Sequence, residues 1–126
     1  MTTGVLIAES LETGAVLERL ALQVERIERV DAGELSPEQR DAGVPAEWTL
    51  LTFVVRDDRA DALADALAGA LGRPGWYADL RNDSTTWVIY PGRVFRYPRG
   101  DEAGRMAAQE HGRALGVPDA QLDWPR

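Results

Sequence analysis

The chain has 126 residues, of which 44% are hydrophobic and 28% are charged, and this composition is typical of one soluble globular domain spanning residues 1–126. Its net charge of −7 disfavours non-specific binding to nucleic acids and to anionic membrane surfaces. The absence of Cys excludes disulfides, zinc–thiolate sites and thiol nucleophiles. No apolar run has the length of a membrane span and the N-terminus lacks a signal-peptide pattern, so we expect a cytoplasmic protein.

The first half of the chain predicts strands on either side of a long loop. Residues 1–19 predict a short helix or strand that covers one end of the core. Residues 20–30 fit both helical spacing and alternation, and we favour a strand. Residues 31–47 are rich in Gly, Pro and charge, which predicts either a mobile lid or a plain insertion with one helical turn at Pro37–Arg40. Residues 48–55 predict a strand that is apolar on both faces, and therefore central.

A first helix is predicted after this strand. Asp57 or Asp58 can cap its free backbone N–H groups, and Gly72 followed by Pro74 ends it. Its apolar stripe consists of Ala60, Leu63, Ala64, Leu67 and Leu71.

A second helix is predicted over Glu102–Leu115, with Asp101 as its N-cap. Its narrow apolar face consists of Ala103, Met106, Ala107, Ala114 and Leu115. Gly116 ends this helix, and the tail can form one helical turn from Pro118. Leu122 and Trp124 then attach the C-terminus to the body of the protein.

Residues 73–97 are central to the prediction, because they contain two of the four Trp and all three Tyr. They predict three short strands joined by a turn at Asn82–Ser84 and a type II turn at Pro91-Gly92. Alternation assigns four side chains of this meander to the core: Trp76, Leu80, Trp87 and Ile89.

These elements predict an α+β fold with a mainly antiparallel sheet of four to five strands and two main helices. Both helices are expected on one face of the sheet, in a ferredoxin-like outline. The second face would then be exposed or covered by another copy of the chain. Because residues 48–55 are apolar on both faces, we expect a homodimer.

Two residues are candidate general bases, although no motif specifies a reaction. His111 is the only histidine, and it lies at the edge of the second helix's apolar face. Asp79 lies on the meander near Tyr77 and Tyr90. An enzyme with His111 or Asp79 as its base requires that these groups meet in one pocket. No spacing matches a metal loop, a dinucleotide fingerprint or a P-loop, so neither a metal nor another cofactor is predicted.

The aromatic and arginine residues of the meander suggest a binding surface instead. Aromatic and Arg side chains are enriched in binding hot spots, and Arg pairs well with carboxylate and phosphate. We therefore predict a non-catalytic binding module for a small anionic ligand or a protein partner. The candidate ligand-binding residues are Tyr77, Arg81, Tyr90, Arg93 and Arg96. A purely structural role as a homodimer is a further alternative.

The segment from Trp76 to Trp124 resembles a group of small uncharacterised bacterial proteins. The resemblance is based on the sequence segments YPGRVFRY and LGVPDAQLDW. A bacterial source also fits the abundant Ala and the use of Arg in place of Lys. The resemblance implies that this segment defines the family, and it supplies no activity and no catalytic residues.

Overall fold

The computed structural model describes residues 1–73 and 75–126, and its centre is a six-stranded antiparallel sheet with a main helix on each face. The strands are β1 (Thr2–Ile7), β2 (Gln23–Asp31), β3 (Glu47–Val55), β4 (Ala78–Arg81), β5 (Thr85–Tyr90) and β6 (Arg93–Pro98). The helices are α1 (Pro37–Asp41), α2 (Ala60–Ala70) and α3 (Glu102–Ala114). Single 3₁₀ turns occupy Ala8–Ser10, Asp57–Arg59 and Asp119–Gln121. The fold is therefore α+β.

The strand order is β2-β3-β1-β4-β5-β6, so the ferredoxin-like outline with four to five strands is wrong. The difference arises at the N-terminus, where β1 inserts between β3 and β4 in the middle of the sheet. The side chains that β1 buries are Thr2, Gly4 and Leu6. Because two of these three residues are not large apolar ones, the strand shows no alternation of apolar and polar residues in its sequence.

The helix α2 packs on the first face of the sheet, as its apolar stripe predicted. Leu63 and Leu67 of this stripe are fully buried against Phe53, Leu80 and their neighbours. The helix proper begins at Ala60, and neither Asp57 nor Asp58 caps it. Asp57 instead accepts a hydrogen bond from the Thr2 hydroxyl at 2.8 Å. The predicted role of Pro74 in ending this helix lies outside the described residues.

The helix α3 packs on the opposite face, so the prediction that both helices share one face is wrong. Asp101 caps α3 as predicted, but the helix buries Ala108 and Gly112. Met106, which we expected in the apolar face, is 63% exposed. The reason is steric, because a Cβ added at Gly112 would lie 2.6 Å from the Tyr90 hydroxyl oxygen. A helix that must approach a tyrosine this closely needs its smallest residues at the contact.

Other expectations for the first half of the chain are confirmed. Residues 23–31 form a strand, and the long loop contains one short helix, α1. Ser36 forms a capping box with Gln39 at the start of α1. Whether this loop moves remains a prediction.

The three strands of the C-terminal meander and the fixed tail are as predicted, but Trp76, which we assigned to the core, precedes β4 and is only partly buried. Gly92 has a φ of +73° in the second meander turn, and Gly116 has a φ of +88° at the end of α3. Leu122 and Trp124 are buried, and the Trp124 indole donates a hydrogen bond to the Tyr97 hydroxyl at 2.8 Å. The tail is thereby fixed to the second face of the sheet.

Candidate binding site

A cavity of about 420 Å³ lies on the second face of the sheet, beside the region that α3 covers. The helix α3 packs over β5 and β6, against Tyr90, Tyr97 and their neighbours. The remaining part of this face, over β3, β1 and β4, is flanked by the loop containing α1 and by the C-terminal tail. The cavity therefore results from a helix that covers only part of its sheet face.

Apolar and aromatic side chains form most of the cavity surface. Val5 and Ile7 from β1 and Leu50 from β3 belong to its sheet side. Two aromatic pairs add to its walls, both in edge-to-face contact. Trp48 and Trp76 have ring centroids 5.2 Å apart, and Tyr77 and Trp124 have ring centroids 5.4 Å apart.

The loop containing α1 is bonded to the C-terminal tail at the edge of the cavity. The Gln39 amide donates a hydrogen bond to the Gln121 side-chain oxygen at 2.9 Å, and Gln39 itself is buried. The Ser36 hydroxyl lies 3.5 Å from the Gly116 carbonyl oxygen. The Tyr77 hydroxyl donates to the Gln121 carbonyl oxygen. These bonds set the position of two cavity walls that are far apart in the sequence.

The charged residues of the described cavity lining are all acids: Asp31, Asp79 and Asp123. Asp31 and Asp123 are exposed, whereas the Asp79 side chain is only 14% exposed. Asp79 therefore places a carboxyl group on the sheet side of an otherwise mainly apolar cavity.

Asp79 has an unusual electrostatic environment. Its carboxylate accepts a hydrogen bond of 3.4 Å from the Arg81 guanidinium, which is a long contact. Burial and, to a smaller extent, the nearby Asp123 raise the pKa of the Asp79 carboxyl to about 6, against the opposing effect of Arg81. The carboxylate thus retains unused capacity to accept hydrogen bonds from a bound molecule.

Tyr77 acts in this cavity as a fixed polar group. Burial raises the pKa of its hydroxyl well above the ordinary tyrosine value, and the charges of Asp79 and Asp123 act in the same direction. Its proton is donated to the Gln121 carbonyl oxygen. Tyr77 is therefore a structural donor and a wall of the cavity.

The five predicted ligand-binding residues do not form one surface. Tyr77 lines the cavity, and Arg81 lies beside Asp79 on the same strand. Tyr90 is fully buried, and its hydroxyl donates to the Ala108 carbonyl oxygen at 2.8 Å. Arg93 lies over the Phe95 ring, with 4.5 Å between its guanidinium carbon and the ring centroid.

Arg96 lies on the opposite face of the sheet. Its guanidinium carbon is 5.6 Å from the centroid of the Trp87 ring, and its Nε is 3.2 Å from the Asp61 carboxylate. The three candidate arginines are thus divided between the two faces, and the described cavity lining includes none of them.

The two candidate general bases are also separated. His111 packs against the rings of Tyr90 and Phe95, at centroid distances of 4.9 and 5.3 Å. Burial and the charge of Arg93 lower the pKa of His111. Asp79 lines the cavity, and His111 is not one of the lining residues that the structure describes.

Sequence reasoning missed several residues of the cavity, notably Trp48, Asp123 and Gln39. These residues come from three segments that only the sheet order and the tail bring together, so no local pattern could have found them. Within residues 1–73 and 75–126, no group of three or more His, Asp or Glu side chains is placed to hold a metal ion.

Comparison of the chain with protein-family models, curated proteins and solved structures finds no match. The resemblance of residues 76–124 to a bacterial group therefore stays a prediction. None of the helices in the described part of the chain is both long and apolar enough to cross a membrane.

Proposed function

We infer that the protein is a non-catalytic binding module whose cavity takes a small, mainly apolar molecule with a positively charged group. One observation carries this proposal: the cavity is walled by aromatic side chains, and the charged groups of its described lining are carboxylates. Small-molecule sites are typically apolar clefts with a few placed polar groups, and the volume of about 420 Å³ falls in their usual range.

The aromatic rings favour an organic cation. A cation above the face of a Trp ring is attracted by the ring quadrupole, by about 0.5–2 kcal/mol depending on desolvation. The edge-to-face arrangement of Trp48 and Trp76 places two indole rings in the lining of the cavity. A neutral apolar ligand would gain only the free energy of burying its apolar surface against these walls.

Asp79 supports the same ligand class. An ammonium group beside its carboxylate would supply the short hydrogen bonds that Arg81 does not, in surroundings of low dielectric constant. The same ammonium would stabilise the charged form of the carboxyl and would therefore lower the pKa of Asp79 towards its ordinary value.

The cavity is less suited to the small anionic ligand or protein partner expected from the sequence. An anion would meet three carboxylates in the lining. The exposed Arg93 and Arg96, which were expected to hold it, lie on opposite faces of the sheet. We therefore propose a cation in place of the anion.

A second candidate function is supported by the environment of Asp79. A buried carboxyl with a pKa of about 6 has the property of a general base that operates near neutral pH. Under this alternative, Asp79 would remove a proton from a substrate held in the same cavity. Multiple turnover of a bound amine, with loss of turnover in Asp79→Asn, would favour the enzyme over the binding module.

The ligand class can be tested with three molecules of one shape: phenylethylammonium, phenylethanol and phenylpropionate. We expect the ammonium compound to bind at least about tenfold more tightly than the alcohol, a difference of about 1.4 kcal/mol, and phenylpropionate to bind weakest. Isothermal titration calorimetry would measure the three affinities. The Arg96→Ala variant is the control, because Arg96 lies on the other face and its loss should leave the three affinities unchanged.

A preference for phenylpropionate would contradict the proposal. Equal affinity for all three compounds, or no binding of any of them, would contradict it as well.

A further inference from the structure

The strand β2 is an open edge of the sheet. Among the described residues its only strand neighbour is β3, so its outer side presents backbone N–H and C=O groups without a strand partner. Two large apolar side chains on this strand are exposed to solvent, Val24 at 49% and Ile27 at 66%. An open edge with exposed apolar residues is suited to pairing with another strand.

The sequence of this edge is self-complementary in charge. Residues 24–30 read VERIERV, and Ile27 is the middle residue. Counting outward from Ile27, Arg26 corresponds to Glu28, Glu25 to Arg29, and Val24 to Val30. If two copies of β2 paired in antiparallel fashion about Ile27, each Arg26 would lie opposite the Glu28 of the other copy. This central charge pair lies within the regular stretch of the strand, whereas Val24 and Glu25 lie at an irregularity in the pairing with β3.

The geometry of antiparallel pairing selects this register. A two-fold axis perpendicular to the sheet keeps side chains on their own face, so one residue must lie opposite its own copy. Registers centred on Arg26, Glu28 or Arg29 would place like charges directly opposite each other, which destabilises a strand pair. Registers centred on Ile27 or Val30 place an apolar residue there instead. Ile27 is the middle residue of β2, whereas a register centred on Val30 would leave most of the strand unpaired.

We propose that a second copy of this chain pairs with β2 in antiparallel fashion, centred on Ile27, and extends the sheet across a homodimer. Charges on an edge strand ordinarily deter pairing with other strands. Here the charges select one partner strand, because only a strand with the reverse charge order matches them.

The structure places Arg26 and Glu28 side by side on one face of β2. The side chains of Arg26 and Glu28 form an exposed ion pair of 2.8 Å within one strand. Both lie on one face of β2, since Arg26 pairs with Thr52 and Glu28 with Leu50 across β3. The irregularity in this pairing lies between Val24 and Arg26, so the stretch from Arg26 to Asp31 is regular. In the dimer each Arg26 would lie opposite the Glu28 of the other copy.

The test uses charge reversal on the full chain, with the mass in solution measured by light scattering at high micromolar concentration. The unaltered protein should have twice the 13.8 kDa mass of the chain. Arg26→Glu and Glu28→Arg should each halve this mass, because each places like charges opposite each other. An equimolar mixture of the two variants should regain the doubled mass, since their edges are complementary.

The matched control is Arg56→Glu, which breaks an exposed ion pair of the same spacing, Arg56 to Asp58 at 2.9 Å, away from β2. It should leave the doubled mass unchanged. The proposal is overturned if the unaltered protein has the mass of one chain, if either β2 variant keeps the doubled mass, or if the mixture of variants does not regain it. Regain of mass in the mixture also shows that both variants fold.

Discussion

Replacing Gly4 with alanine is expected to lower the free energy of unfolding by about 3 kcal/mol. Gly4 lies in β1 at the centre of the sheet, between Phe53 and Leu80. A Cβ at this position would lie 2.7 Å from the Phe53 ring and 3.0 Å from the Asp79 carbonyl oxygen. Both neighbouring side chains are fully buried, so neither can move without disturbing the core.

The matched control for Gly4 is Gly69, an exposed residue of α2. A Cβ added at Gly69 would have no neighbouring atom within 4 Å. Gly69→Ala should therefore raise the free energy of unfolding by about 0.5–1 kcal/mol through helix propensity alone. Urea denaturation would measure both variants. A Gly4→Ala variant as stable as the unaltered protein would contradict the central position of β1.

Replacing Asp79 with asparagine is expected to raise the free energy of unfolding by about 2 kcal/mol near pH 8. Burial raises the pKa of Asp79 from 3.8 to about 6 in the folded protein. A group whose pKa is higher in the folded state contributes stability when it is protonated, and this contribution is lost as the pH rises through the folded-state pKa. The unaltered protein should therefore lose stability between about pH 4 and pH 6, and Asp79→Asn should not show this loss.

Thermal unfolding of both proteins over this pH range would measure the effect. The advantage of the variant should be largest above about pH 6 and should disappear below about pH 4. Asp65→Asn is the control, because Asp65 is an exposed acid on α2 and its loss removes no buried charge. The same pH dependence in the unaltered protein and in Asp79→Asn would show that the Asp79 carboxyl carries no desolvation penalty.

The elements with strong periodicity could be predicted from the sequence. The stripe of α2, including Leu63 and Leu67, and the alternation of the meander at Trp87 and Ile89 both correspond to buried faces. The buried faces of β1 and α3 could not be predicted from hydrophobic periodicity. Their buried positions include Gly4, Ala108 and Gly112, which pack closely because they are small, and a hydrophobicity pattern does not register small residues.

The candidate site was only partly predictable, for a topological reason. Alternation placed Tyr77 and Asp79 on one face of the first predicted meander strand, and both line the cavity. The same alternation separates Arg93 from Arg96, because residues three apart on a strand point to opposite faces. Trp48 and Asp123 reach the cavity through the strand order and the packing of the tail, which no local pattern encodes.

The most direct test of the proposed cation site compares the affinities of two proteins for two ligands. The unaltered protein and Asp79→Asn would each be titrated with phenylethylammonium and with phenylethanol. We predict that the variant binds phenylethanol as the unaltered protein does and loses most of the preference for the ammonium compound, because only the weaker attraction of the aromatic walls remains. An ammonium preference that is undiminished in Asp79→Asn would contradict the account.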